Sequence, residues 1–126
     1  MSSLRAALHI DHDTAEVLHL DAENVHAVRI TAHVHPTRQH GSAVRSEHEF
    51  FAEVCDALAG VADVLVVGSH QAQAGFRHYV GQHRAALLKQ IVGWKTVDHP
   101  TEGQLVALAR EYFIEHDGVA RTQQRM

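Results

Sequence analysis

The chain has 126 residues, 45% of them apolar, and a formal net charge of -4 with its histidines neutral. That length and apolar content fill one core and not two, so a single domain over 1–126 is expected; the acidic balance argues against a protein that coats nucleic acid non-specifically, because such binding neutralises many phosphates. The opening segment Met1 to His9 lacks the apolar core of a signal peptide, no later run nears the roughly 20 residues of a membrane span, and Cys55 is the only cysteine, which together lead to the expectation of a cytoplasmic protein without disulfides or a four-cysteine zinc site.

The first third has the period of strands. Ala6, Leu8 and Ile10 alternate with Ala7 and His9, the polar turn His12-Asp13-Thr14 follows, and Val17 to Leu20 returns as the second arm of a hairpin. After Asp21-Ala22-Glu23-Asn24, one parity holds Val28, Ile30, Ala32 and Val34 and the other Arg29, Thr31, His33 and His35, which predicts a third antiparallel strand with one buried face. The stretch from His35 to Arg45 contains Pro36 and Gly41 without an apolar period and reads as an exposed loop.

Ser46 with Glu49 three residues later has the form of a capping box, and Phe51, Val54, Cys55 and Leu58 recur at helical spacing before Gly60. Val64 to Val67 is a short continuous apolar run, the pattern of a strand covered on both faces. Phe76, Tyr79 and Val80 predict a second helix interrupted at Gly81, with a further turn over Ala85 to Gln90 and a fifth strand over Ile91 to Val97. Thr101 and Gln104 form another capping box, and Leu105, Leu108, Ala109 and Tyr112 give the stripe of the last helix. The ordered core is expected over about 5–116, with a frayed tail over 117–126. Three strands of a meander followed by helix-separated strands give a mixed five-stranded sheet ordered 3-2-1-4-5 with three main helices, a ribonuclease H-like α/β architecture.

The segment Val64-Leu65-Val66-Val67-Gly68-Ser69 leading to a helix that carries Phe76, and the strand Ile91 to Val97 followed by Asp98-His99-Pro100-Thr101-Glu102-Gly103-Gln104, resemble the middle domain of archaeal and eukaryotic peptide chain release factors. With the opening hairpin, the resemblance covers most of 6–116. It extends to the release-factor relatives Pelota and Balon and to short stand-alone bacterial translational machinery proteins. The family implies work on the ribosome, with rRNA or tRNA as partners. Release factors carry Gly-Gly-Gln in the loop before the first helix, where the glutamine helps place water at the ester bond. This chain has Arg38-Gln39-His40-Gly41-Ser42 there, so Gln39 has no pair of glycines to supply the required backbone conformations. No catalytic residue is carried over, and the expectation is a non-catalytic module that does not hydrolyse peptidyl-tRNA.

Other chemistry has less support. An RNase H-like metal-dependent hydrolase needs converging carboxylates; Asp11 and Asp13 sit in the first hairpin, where turn chemistry accounts for them, and the fourth strand ends without an acid. His33 and His35 share a strand face that His40 or His48 can approach, a pattern that solvated strand-face and loop histidines explain more readily than a metal site. Cys55 lies on an apolar stripe as a packed thiol, and Gly68-Ser69 reads as a close strand-to-helix turn more readily than as an anion site. No metal site or cofactor is assigned. The stretch from Arg77 to Lys95 has no Asp or Glu, whereas residues 1–34 carry five acids against two bases. Its cations Arg77, Arg84, Lys89 and Lys95, with Arg38, Gln39, His40 and Arg45 of the loop, are the candidate nucleic-acid contacts. At least some of Arg77, Arg84 and Lys89 are expected on the exposed side of the second helical region, opposite Phe76 and Val80. A protein partner, and a homodimer formed through the outer edge of the third strand, remain open.

Overall fold

The computed structural model describes residues 5–20, 24–32 and 42–124, the side chains of 42–45 and 118–124 excepted. Strand β1 (Arg5–Ile10) turns at Asp11 to Asp13 into β2 (Thr14–Leu20), and β3 (Val25–Thr31) completes an antiparallel meander. The first turn is closed by the Asp11 N–H donating to Thr14 O and the Ala32 N–H donating to Asp13 O, each at 2.8 Å. Helix α1 (Ser42–Ala57) leads to β4 (Asp63–Gly68), α2 (His70–His83) and the single turn α3 (Ala85–Leu88) lead to β5 (Ile91–Thr96), and α4 (Glu102–Gln124) ends the described chain. β4 runs parallel to β1 and β5 parallel to β4, giving the mixed five-stranded sheet β3-β2-β1-β4-β5.

The sheet is covered on both faces because its central strands are apolar at both parities. Leu8, Ile10, Val64 and Val66 pack with Phe50, Phe51, Val54, Phe76 and Val80 of α1 and α2. Ala7, Leu18, Leu65 and Val67 pack with Leu105, Ala109 and Phe113 of α4. Burying each large apolar side chain contributes roughly 1.5–3 kcal/mol, so these two layers are the main favourable term in holding the sheet between its helices. Among the described residues, no helix is long and apolar enough to cross a membrane.

Several boundaries differ from the sequence expectation. α1 begins at Ser42, which places Ser46 and Glu49 inside it and removes the predicted capping box; Ala43 and Arg45 are good helix formers, and nothing between Gly41 and Ser46 breaks a helix. β3 covers Val25–Thr31, three residues earlier than predicted, while Val34 lies outside the described residues. Gly81 does not interrupt α2: the helix runs through it, and the break falls at Arg84, whose backbone leaves the helical region at φ -140° and ψ 51°. Phe76 and Val80 anchor that helix in the core, which offsets the roughly 1 kcal/mol an interior glycine costs. α4 is helical from Glu102 to Gln124. Arg5 holds Asp117 in an ion pair and lies over the Phe113 ring at 5.1 Å, tying this part of α4 to the start of β1.

Candidate nucleic-acid interface and the carboxyl-end cluster

The cations of the acid-free stretch do not form one face. Arg77 leans toward the sheet edge, with its guanidinium 5.3 Å from the centre of the Trp94 ring on β5. Arg84 leans the other way, toward α1, where its Nη2 donates to Asp56 Oδ1 at 2.9 Å. The expected common surface opposite Phe76 and Val80 is therefore split, because Arg77 flanks the buried side of α2 and Arg84 lies beyond the helix end. Lys89 is exposed just after α3. Lys95 follows Trp94 and so points to the other side of the sheet, where its Nζ lies 5.3 Å from the centre of the Tyr112 ring of α4. Arg38, Gln39 and His40 lie outside the described residues, as do His33 and His35; Arg45 lies in α1, with its side chain outside the described set.

The outer strand β5 thus carries a cation stacked on an aromatic ring on each of its faces. Its backbone is irregular there: Val64 pairs with Ile91 but Leu65 with Gly93, leaving Val92 as the extra residue of a β-bulge. The Tyr112 hydroxyl donates to Val92 O at 2.8 Å. A Cβ on Gly93 would lie 2.2 Å from that hydroxyl oxygen, so the tyrosine crosses the strand only where there is no side chain. Trp94 and Tyr112 are the residues that sequence reasoning missed in this region. Neither alternation in β5 nor the stripe of α4 announces which ring a cation 17 residues away will cover.

The second polar region lies at the carboxyl ends of β1, β4 and β5. Gly68, at φ 150°, passes so close to β1 that a Cβ would stand 2.3 Å from Ile10 O, which is why the chain needs glycine where β4 ends. Ser69 then caps α2, accepting the Ala72 N–H at 3.2 Å, so the Gly68-Ser69 pair serves the close turn. Gln73, one turn into α2, is buried and donates to Gly68 O at 2.8 Å and to Lys95 O at 2.7 Å, joining α2 to both parallel strands.

Beside this turn, His9, Asp11, Ser69, Asp98 and His99 line a small cavity of about 40 Å³, and Asp11, His12, Glu47, Ser69 and Gln71 border a larger cleft. The backbone N–H and the imidazole of His12 both bond to Asp11 and hold its carboxyl below the usual range. Burial lowers the His9 pKa, partly countered by Asp11 and Glu16. Cys55 is buried and its thiol is pushed up to about 11 by desolvation, as expected for a packed thiol rather than a nucleophile. A third cluster joins α1 to α2, where the rings of His48, Tyr79 and His83 lie with centroids 4.7–5.6 Å apart.

No family model and no curated protein matches the chain. Solved structures do. The chain is similar to Archaeoglobus fulgidus Pelota with a TM-score of 0.65 and 17% identity, over 95% of this chain and 35% of that one. Similarity to Thermoplasma acidophilum Pelota gives a TM-score of 0.60 at 15% identity, over 99% of this chain and 42% of that one. The archaeal translation termination factor aRF1 gives 0.61 at 18% identity, over 95% of this chain and 39% of that one. The chain thus spans roughly two-fifths or less of the length of these proteins. Its mixed sheet, with α1 and α2 on one face and α4 on the other, is the fold of one part of Pelota and of the archaeal termination factor.

Proposed function

We propose that this chain is a translation-associated binding module that acts on the ribosome, or on an RNA or protein component of translation, without hydrolysing peptidyl-tRNA. The observation that carries this reading is a fold shared over 95% or more of the chain with Pelota and a translation termination factor. The missing Gly-Gly-Gln at Arg38 to Ser42 supports the non-catalytic part. Phosphate contact comes from the two ring-stacked cations of the β5 edge, Arg77 and Lys95, and from Arg38, Gln39 and His40 in the sequence before α1. Arg84, held by Asp56, contributes less, because a cation already paired with a carboxylate gains little from releasing counterions at a phosphate.

Co-sedimentation of the full chain with ribosomal subunits, from growing and from stationary cells, tests the reading. Saturable association supports it, and absence from every ribosomal fraction at low salt overturns the ribosome as its partner. Incubated with a charged ribosomal complex, the purified protein is expected to release no peptide; release that disappears in Gln39→Ala would show that the loop is catalytic after all.

Self-association through β3 is the second reading. The observation in its favour is a seven-residue strand whose outer edge has no partner among the described residues. Sedimentation equilibrium decides it, since a chain that stays monomeric at every concentration lacks this interface.

A further inference from the structure

We propose that the rings of His48, Tyr79 and His83, on the outer side of the α1–α2 layer, form a stacking platform for an unpaired RNA base. The platform adds a second point of contact to the translation-associated reading and rests on that reading for RNA as the class of partner.

Tyr79 and His83 are four residues apart on α2 and so share one side of the helix, with ring centroids 4.7 Å apart. His48 comes across from α1, 5.4 Å from Tyr79 and 5.6 Å from His83. The rings meet at 38–58° rather than lying flat on one another. A tilted contact leaves ring surface uncovered, and the exposure of both imidazoles puts that surface in solvent. Beneath them the cluster is anchored in the core. Tyr79 is half-buried with its ring 5.4 Å from that of Phe51, and Phe51 meets Phe76 edge-on at 5.6 Å. Core packing thus holds the platform before a ligand arrives, which lowers the entropy cost of binding.

Planar rings with an open side take a planar partner, and bases that are not paired stack on tyrosine and histidine. Charge selects a nucleic acid as the source of that plane. α2 and α3 contain no Asp or Glu, Arg84 directly follows His83, and Arg45 lies one turn before His48 on α1. Two acids of α1 are turned to other uses: Asp56 is held by Arg84 at 2.9 Å, and Glu47 borders the cleft beside the β1–β2 turn. The imidazoles also bring N–H donors for phosphate or base edges. The strand state follows from the same geometry. In a duplex each base is covered by its neighbours, and the A-form major groove is too narrow for side chains to enter, so only an unpaired base offers a face. The β5 edge differs in this respect, because Trp94 and Tyr112 already carry Arg77 and Lys95 over their rings.

Binding of a fluorescein-labelled single-stranded oligoadenylate to the full chain, read by fluorescence anisotropy at low salt, tests the platform. Saturable binding is expected, and weaker binding of the same strand annealed to oligouridylate. In His48→Ala/His83→Ala the Kd is expected to rise on the order of tenfold, the loss that one base–ring stack represents. His48→Phe/His83→Phe keeps the planar faces and is expected to restore most of the affinity. His9→Gln, which shares with Ala7 the side of the sheet that α4 covers, is expected to bind as the wild type does. Circular-dichroism melts establish that each variant is folded, and His83→Ala alone replaces the alanine pair if that pair is not. A merely structural role for the two histidines would move the melt and leave the Kd of the folded variants unchanged. Absence of saturable binding, equal affinity for the duplex, or an unchanged Kd in the folded alanine variant overturns the proposal. So does a phenylalanine pair that binds no better than the alanine pair, since stacking would then not be the source of affinity. The ribosome reading is decided separately by co-sedimentation: a chain that travels with ribosomal subunits and ignores the oligonucleotide keeps that reading and loses the platform.

Discussion

Gly93 and Tyr112 show how one missing side chain shapes a surface. The tyrosine lies across the glycine, satisfies the carbonyl that the β-bulge exposes, and offers its ring to Lys95. In Gly93→Ala the new methyl group displaces the tyrosine, and the loss of packing and of one hydrogen bond is expected to cost about 1–3 kcal/mol in urea unfolding. The same substitution made in Tyr112→Ala should cost much less, because the clash is gone; an equal cost in both backgrounds would show that the glycine matters for its backbone alone. His19 carries a pH dependence. Burial lowers its pKa, and the facing His26, 6.3 Å away between ring centroids, lowers it further. A lowered folded-state value means that the fold favours the neutral ring. The stability it contributes is complete above the unfolded value of about 6.5 and is lost as pH falls through that value toward the folded one. The urea midpoint is therefore expected to drop between pH 8 and pH 5.5, and to drop less in His19→Gln. An equal drop in that variant would remove His19 as a source.

At the scale of the element, α4 illustrates a start that local chemistry specifies. Thr101 Oγ1 accepts the Gln104 N–H at 3.1 Å, and Gln104 Oε1 accepts the Thr101 N–H at 2.9 Å, the reciprocal bonds of a capping box. Thr101→Ala is expected to lower stability by about 0.5–2 kcal/mol in a thermal melt, with Gln104→Ala on the same side; no change in either would mean that packing of Leu105, Ala109 and Phe113 alone positions the helix. The start of α1 shows the opposite case. Ser46 and Glu49 have the right spacing for a cap and lie within the helix instead, because a spacing rule cannot see whether the preceding residues are themselves helical. Gly81 likewise reads as a breaker and is none, since the two large side chains that anchor α2 lie before it.

For the whole molecule, the split of the basic stretch changes which substitutions report on RNA. Reversing the charge of Arg84 would set a second carboxylate beside Asp56 and disturb the α1–α2 side. Arg77→Gln with Lys95→Gln, at the two faces of the β5 edge, avoids that. If these cations meet phosphates, the slope of log affinity for ribosomes against log salt should flatten by about 0.7–0.9 for each lost contact, with the melt unchanged. An unchanged slope in the folded double variant would remove the β5 edge as an RNA contact and leave Arg38, Gln39 and His40 as the candidates.

The sheet order and the sequence of helices were written in local pattern. The unbroken apolar run of β4 and the Thr101–Gln104 box are signals carried within one element and survive without knowledge of the partner, whereas the alternation read in β1 gave way to burial on both faces, with Ala7 under α4. The candidate surfaces were not. Arg77 and Arg84 are seven residues apart in an acid-free stretch and look equivalent, yet one rests on Trp94 and the other is held by Asp56. Asp11 and Asp13 read as turn formers, and the meeting of Asp11 with His99 at the far end of the sheet depends on β4 and β5 being laid parallel beside β1. Composition and period determined which residues are buried and in what elements. The pairing of distant strands decided which polar side chains face one another, because that proximity is a property of the sheet and of no segment within it.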